Sequence, residues 1–357
     1  MLTANENSTG VSLGALARRS YRDIAIYSTP SGRCSVDLSD NTNLWGAPPA
    51  ALGALATIGE EEVTRYPVAF EPALVAALAE YVGVSPTMIA CGCGSDDVLD
   101  SAIRAFAEPG EVLCVPDPSF GMIPVFARAN GLSPVSISLT PAHDVDFDAM
   151  LETGARITYL CSPNNPTGNA LPRASVERVV ENARGLVIID QAYVEFGGDS
   201  FIDLVSSGRP VLVTRTMSKA FGLAGLRVGY GIGSPEVITE IKKARGPYKV
   251  SALAERAAIA ALAEDRQWVA DRVNEVLSNR SRFRAELGKR GIAALESSAN
   301  FVLVPVSDSA AISRRLEGAG IRVRALAGLT GIGDAIRVAI GPWEVMQRCI
   351  EALVAAI

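Results

Sequence analysis

The chain contains a single histidine, His143, among 357 residues. That scarcity excludes hydrolases built on an imidazole base and metal sites that need two or more imidazoles, unless His143 does everything. The residue lies in Pro141-Ala-His-Asp, a turn-forming segment, and is expected to be an exposed loop residue. Cysteine is sparse as well: six, at positions 34, 91, 93, 114, 161 and 349, are too scattered for a disulfide scaffold and read as reduced. Cys91 and Cys93 form a C-x-C pair without a second cluster, so they read as strand-end core residues rather than zinc ligands, and no metal is expected. Basic residues do not exceed acidic ones (33 against 39, net charge −6), which leaves no basic stripe for nucleic acid and no attraction to an anionic membrane. No apolar run approaches the ~20 residues that span a bilayer, and Asn5, Glu6 and Asn7 make the amino terminus polar. The expected location is the cytoplasm. Gly229-Tyr-Gly-Ile-Gly233 is glycine-rich but lacks the spacing and the following acid of a dinucleotide fingerprint.

Apolar residues are abundant: at 48% hydrophobic content, a chain of this length buries a large core. Over residues 90–233 apolar runs alternate with helix-like stretches, which predicts an α/β fold with a mostly parallel sheet between helices. From Ser95 to Ala107 the positions Val98, Leu99, Ala102, Ile103 and Phe106 follow helical spacing, with Ser95 or Asp96 as the capping residue. Residues 1–40 read as an amino-terminal arm with a short helix near Val11 to Arg19, and 41–250 as the large domain. Residues 251–290 read as one long connecting helix, and 291–357 as a smaller α+β domain with strands at Phe301 and Ile336 and helices from Ala310 and Trp343. No 20-to-50-residue repeat interrupts this plan.

The run Thr216-Met-Ser-Lys-Ala-Phe-Gly-Leu-Ala-Gly-Leu-Arg227 follows the buried strand Val211-Leu-Val-Thr-Arg, which puts Lys219 at a carboxyl strand end, where open α/β sheets place ligands. Two further segments end in the same way. Cys161-Ser-Pro-Asn-Asn-Pro-Thr-Gly168 follows Arg156-Ile-Thr-Tyr-Leu, and Leu186-Val-Ile-Ile closes on Asp190, with Tyr193 just beyond. A buried carboxylate needs a cationic partner, and a lysine amine can form a Schiff base with an aldehyde cofactor.

With Arg65-Tyr-Pro, Gly92-Cys-Gly-Ser-Asp-Asp97, Pro118-Ser-Phe-Gly-Met122 and Ile336-Arg-Val-Ala-Ile-Gly341 added in order, the chain from about Asp40 to Gly341 resembles the fold-type I aminotransferases. These use pyridoxal 5'-phosphate (PLP), and the likeness is greatest to the histidinol-phosphate aminotransferase branch. The resemblance implies a three-layer α/β/α large domain of the PLP-transferase kind and a smaller α+β carboxyl-terminal domain. It implies that Lys219 anchors PLP as a Schiff base and then carries the proton between the substrate carbon and the cofactor. Asp190 would face the protonated pyridine nitrogen, Tyr193 and Asn165 the phenolate oxygen, and Phe120 the ring face. A phosphate cup would combine Gly94, Ser95 and Asp96 at a helix start with Thr216, Ser218 and Arg227. Tyr66 resembles the tyrosine that reaches the phosphate from a neighbouring subunit, which implies a homodimer with shared sites. For the substrate the resemblance points to Arg337 and Arg324, and to Tyr27 and Asn43; Arg322, two residues before Arg324, shares its face if the segment is a strand and could then substitute for it. The resemblance also implies a cis Asn165-Pro166 bond.

Two departures bear on the substrate. The Asn-Glu-Asn-Pro motif of the family is here Asn41-Thr-Asn-Leu, without its acid, and Lys249 replaces an asparagine. The first reading is transamination of histidinol phosphate with 2-oxoglutarate, giving imidazole acetol phosphate and glutamate. The alternatives are an aminotransferase for aromatic or other α-amino acids, a PLP-dependent decarboxylase of a phosphorylated amino acid, and a PLP-retaining regulator, for whose DNA-binding head the arm is too short.

Overall fold

The carboxyl ends of three buried parallel strands set the geometry of the molecule. In the computed structural model, which describes residues 13–26 and 34–357, these are β4 (Ile157–Cys161), β5 (Leu186–Asp190) and β6 (Val211–Thr216). All their residues are buried, as near-continuous apolar runs require of strands covered on both faces. Around them the sheet is completed by β1 (Ile89–Cys93), β2 (Val112–Asp117), β3 (Ser133–Ser138) and β7 (Val228–Gly233), in the order β1-β7-β6-β5-β4-β2-β3. Only β7 runs antiparallel to its neighbours. Cys161 pairs with Asp190, and Asp190 with Thr214, so the polar residues that close these strands fall side by side.

Helix α1 (Gly94–Phe106) leaves β1 directly and buries Val98, Leu99, Ala102 and Ile103 on one face, as the spacing predicts. Its amino end is held differently from the expectation. Neither Ser95 nor Asp96 caps it; Asp97 accepts a hydrogen bond from the Cys93 amide at 3.1 Å, which leaves Ser95 and Asp96 in the first turn. Gly229 permits the close approach of β7, since a Cβ there would lie 2.1 Å from the Ser95 nitrogen.

The predicted long helix is two, α2 (Ala252–Glu264) and α3 (Arg266–Gly288), because Asp265 breaks the run. Its carboxylate accepts the amides of Ala50 and Ala51 at 2.9 and 3.3 Å, at the start of the helix Pro49–Ala56. Beyond α3, β8 (Phe301–Pro305), β9 (Arg324–Leu329) and β10 (Gly333–Ala339) form an antiparallel sheet in the order β9-β10-β8. Thr330, in the β9–β10 turn, donates to Asp117 at the end of β2 at 2.5 Å, which fastens this hairpin to the large sheet. A separate parallel pair joins Val36–Asp37 to Ile321–Arg322. In the amino-terminal region the described elements are a 3-10 turn at Leu13–Leu16 and a short helix at Arg19–Arg22. Among the described residues no helix is long and apolar enough to cross a membrane.

Of the C-x-C pair, Cys91 is buried but Cys93 is exposed, so only the first is a core residue. His143 occupies a turn, as expected, yet is half-buried there, and its carbonyl accepts a hydrogen bond from Asn169.

Candidate active site

A cavity of about 710 Å³ opens at the aligned strand ends and extends to β9 and β10. Lys219 enters it from the segment after β6. Its Nζ donates to the Asp40 carbonyl at 2.9 Å and lies 5.9 Å from the Tyr193 ring centroid. Burial above all, and then the positive charge of Arg337, lower the ammonium pKa from 10.5 to about 8, against the opposing pull of Asp40 and Asp96. A useful fraction of the amine is therefore an uncharged nucleophile near neutrality.

Asp190 is 3% exposed at the cavity floor. Its Oδ2 accepts from the Tyr159 hydroxyl at 2.8 Å, and its Oδ1 from Thr214 Oγ1 and the Ala192 amide, each at 3.2 Å. Burial raises its pKa to about 6, and the hydrogen bonds from Tyr159 and Thr214 pull it back toward the ionised form. Among the described residues it has no lysine or arginine partner within ion-pair distance. A protonated heterocyclic nitrogen in the cavity would supply the missing cation.

The Tyr193 hydroxyl accepts from Asn41 Nδ2 at 3.1 Å, and burial pushes the phenol up to about 12, so its proton stays available for donation. Asn165, which lines the cavity, accepts from Arg337 Nη1 at 2.6 Å through Oδ1 and keeps its Nδ2 as a donor. The Asn165-Pro166 bond is cis, as the resemblance implies, and so are Asp117-Pro118 and Ser162-Pro163.

At the opposite wall Ser95 and Asp96, in the first turn of α1, meet Thr216, Ser218 and Arg227. The first-turn amides of a helix have no intrahelical carbonyls to satisfy them, and the dipole there favours an anion. Thr216 Oγ1 and Ser218 Oγ are 3.0 Å apart, and Arg227 Nη2 lies 3.4 Å from Asp96. Burial raises the Asp96 carboxyl, and Arg227 pulls it down. Gly94 takes a φ of +77°, which side chains disfavour, and a Cβ there would come 2.5 Å from Arg227 Nη2, so the guanidinium would have to shift. One guanidinium, two hydroxyls and a helix start make a seat for a phosphate, and with Lys219 and Asp190 the donor set fits PLP.

Arg337 and Arg324 mark the far end. Arg337 is 8% exposed and donates from Nη2 to the Ser39 carbonyl at 2.6 Å, besides its bond to Asn165. Arg324 donates from Nη2 to Asp40 Oδ1 at 2.7 Å. Phe120, Met122, Val125, Leu326 and Leu329 form an apolar wall between the ends.

Twelve of the sixteen residues singled out in the sequence therefore line one cavity, and Gly94 lies at its rim. Of the other three, two lie outside it. Asn43 braces the lysine segment, donating to the Ala220 carbonyl at 3.1 Å and accepting the Trp45 amide at 2.9 Å. Tyr66 is 83% exposed and stacks on Tyr248 at 5.0 Å, outside the cavity of its own chain. Tyr27 lies outside the described residues. Arg322 cannot substitute for Arg324: its strand ends before Val323, and it pairs with Asp37 and Glu317, each at 3.1 Å. Lys249 pairs with Asp97 at 3.0 Å, so its extra charge is neutralised behind the helix start. Sequence reasoning missed Asp40, Asn41 and Tyr159. The usable signal for Tyr159 was a phenol inside an apolar strand, which must find a partner once buried.

Comparison with known proteins agrees with this geometry. The family model described as aminotransferase class I and II matches residues 35–353. A histidinol-phosphate aminotransferase of Roseiflexus castenholzii is 37% identical over 331 residues, 89% of this chain and 88% of the relative. An aromatic amino acid aminotransferase of Rhodococcus jostii is 36% identical over 315 residues, 86% of each. Among solved structures, the histidinol-phosphate aminotransferase from Sinorhizobium meliloti in complex with pyridoxal-5'-phosphate superimposes with a TM-score of 0.82 at 27% identity, covering 91% of each chain. The fold and this match over most of the length make the chain a member of the class I and II aminotransferases, with PLP as its cofactor.

Proposed function

We propose that the enzyme transaminates histidinol phosphate, with 2-oxoglutarate as the amino acceptor. The observation that carries this reading is the single cavity that holds a lysine of lowered pKa, an aspartate lacking a cation, and two arginines beyond an apolar wall. PLP, when bound, supplies the electron sink for the carbanion formed at the substrate carbon. Lys219 then takes the proton from that carbon and returns it on the other side of the exchange, a task suited to a group titrating near 8. Asp190 keeps the ring nitrogen protonated. Tyr193 and the Asn165 amide donate to the ring oxygen, while Ser95, Thr216, Ser218 and Arg227 hold the cofactor phosphate. Arg324 and Arg337 hold the substrate anions through charge-assisted hydrogen bonds. Tyr66, exposed here, reaches the phosphate of a second copy in a homodimer with shared sites.

A second reading has a specific observation behind it. Met122, Val125, Leu326 and Leu329 suit an aromatic amino acid, the class named for the Rhodococcus jostii relative. A panel of amino donors assayed with 2-oxoglutarate separates the two. Arg324→Ala should raise KM for histidinol phosphate about tenfold more than KM for phenylalanine. Equal losses on both donors would transfer the assignment to the amino-acid reading.

A further inference from the structure

A phenol has one proton to give, and its neighbours decide where that proton goes. Asn41 Nδ2 donates to the Tyr193 hydroxyl at 3.1 Å, and among the described residues this is the only hydrogen bond that hydroxyl makes, so its proton is not spent on the protein. The donor is itself held in place. Asn41 is 1% exposed and takes the left-handed backbone conformation, φ +53°, which asparagine and glycine tolerate and most other residues resist. Its carbonyl accepts from Asn300 Nδ2 at 3.0 Å. The next residue, Phe301 at the start of β8, stands edge-on to the Tyr193 ring, with centroids 5.2 Å apart. Two consecutive residues at the entry to β8 therefore brace Tyr193, one through Asn41 at the hydroxyl and one directly on the ring. The polarity of the Asn41 contact matters more than its strength. Were Asn41 to accept, the phenol would give its only proton to the amide; because Asn41 donates, the proton stays available, and a hydroxyl that accepts one hydrogen bond donates the next more strongly.

We propose that Asn41 is a positioning residue for the transamination: by donating to the Tyr193 oxygen it commits the phenol proton to the ring oxygen of the cofactor. The inference rests on the reading in which Tyr193 donates to that oxygen, and deepens it. Such donation favours the negative charge on the ring oxygen, which counts most when the lysine imine has lost its proton, so it lowers the pH at which that proton leaves. Asn41 acts on this equilibrium through Tyr193.

The test titrates the visible band of the holoenzyme with pH, without substrate, and reads the midpoint of its change. Tyr193→Phe should raise the midpoint by about one unit and Asn41→Gly, which keeps the backbone conformation and removes the amide, by about half a unit. In the Tyr193→Phe background Asn41→Gly should add nothing. The charged groups that bear on Lys219, namely Arg337, Asp40, Asp96 and Arg227, are the same in all these variants, so the shift reports the hydrogen bonds. An Asn41→Gly midpoint equal to that of wild type, or a shift that persists in full without the phenol, overturns the proposal. Asn41→Asp serves if the glycine variant fails to fold: its carboxylate only accepts and takes the phenol proton, so adding Tyr193→Phe should leave the midpoint in place, and a further rise of about one unit would overturn the proposal. A Tyr193→Phe midpoint equal to that of wild type would sink the placement of Tyr193 at the ring oxygen and the inference with it, whereas a shift in Tyr193→Phe alone sinks only the inference.

Discussion

The titration of Lys219 offers a quantitative check on the site. With a pKa of about 8, roughly one amine in ten is unprotonated at pH 7; with the ordinary 10.5 it would be about one in three thousand. The site therefore gains about 300-fold in reactive amine at neutrality. The sign follows from burial, which penalises the charged form and so lowers the pKa of a base. Mixing cofactor-free protein with PLP in a stopped-flow instrument between pH 6 and 10, and following the visible band, measures this directly. The rate of imine formation should climb about tenfold per pH unit up to about 8 and then level off. Arg337→Met, which removes the second cause of the depression, should move the midpoint up; Asp40→Asn, which removes an opposing negative charge, should move it down. A rate still climbing tenfold per unit between pH 9 and 10 in the wild-type protein would place the amine in bulk solvent and refute the reasoning.

Two further outcomes are expected. Tyr159→Phe removes a hydrogen bond that favours ionised Asp190, so the Asp190 pKa rises above about 6 and the acidic limb of the kcat profile should move to higher pH; a limb that stays in place would show that Asp190 does not set it. Gly229→Ala puts a methyl 2.1 Å from the Ser95 nitrogen and should cost about 3 kcal/mol in denaturant unfolding, with weaker PLP binding as the helix start shifts. A stability within about 0.5 kcal/mol of wild type would show that the strand and helix can part there without cost.

Much of the site was legible because it sits on the ends of regular elements. An apolar run that stops at Asp190, and another that stops shortly before Lys219, announce buried strands, and parallel pairing then brings those ends together. What escaped depends on contacts across long stretches of chain. Asp40 meets Arg324 across 284 positions and Tyr193 meets Asn41 across 152, separations over which local pattern carries no information. Arg322 and Arg324 read alike in sequence, yet Val323 lies between the end of one strand and the start of the next, so one arginine faces acids on neighbouring elements and the other the cavity. The two-helix form of 252–288 was hidden for a similar reason, since Asp265 breaks the run where its carboxylate receives the amides of a helix more than 200 residues earlier.

The bond between Thr330 and Asp117 has a kinetic implication. The hairpin it tethers carries Leu326 and Leu329, so one side of the substrate chamber is fastened at its tip by an interaction worth about 1 kcal/mol. A latch of that strength is within reach of thermal fluctuation, so the hairpin tip can part from the end of β2 without disturbing the buried strands β4 to β6.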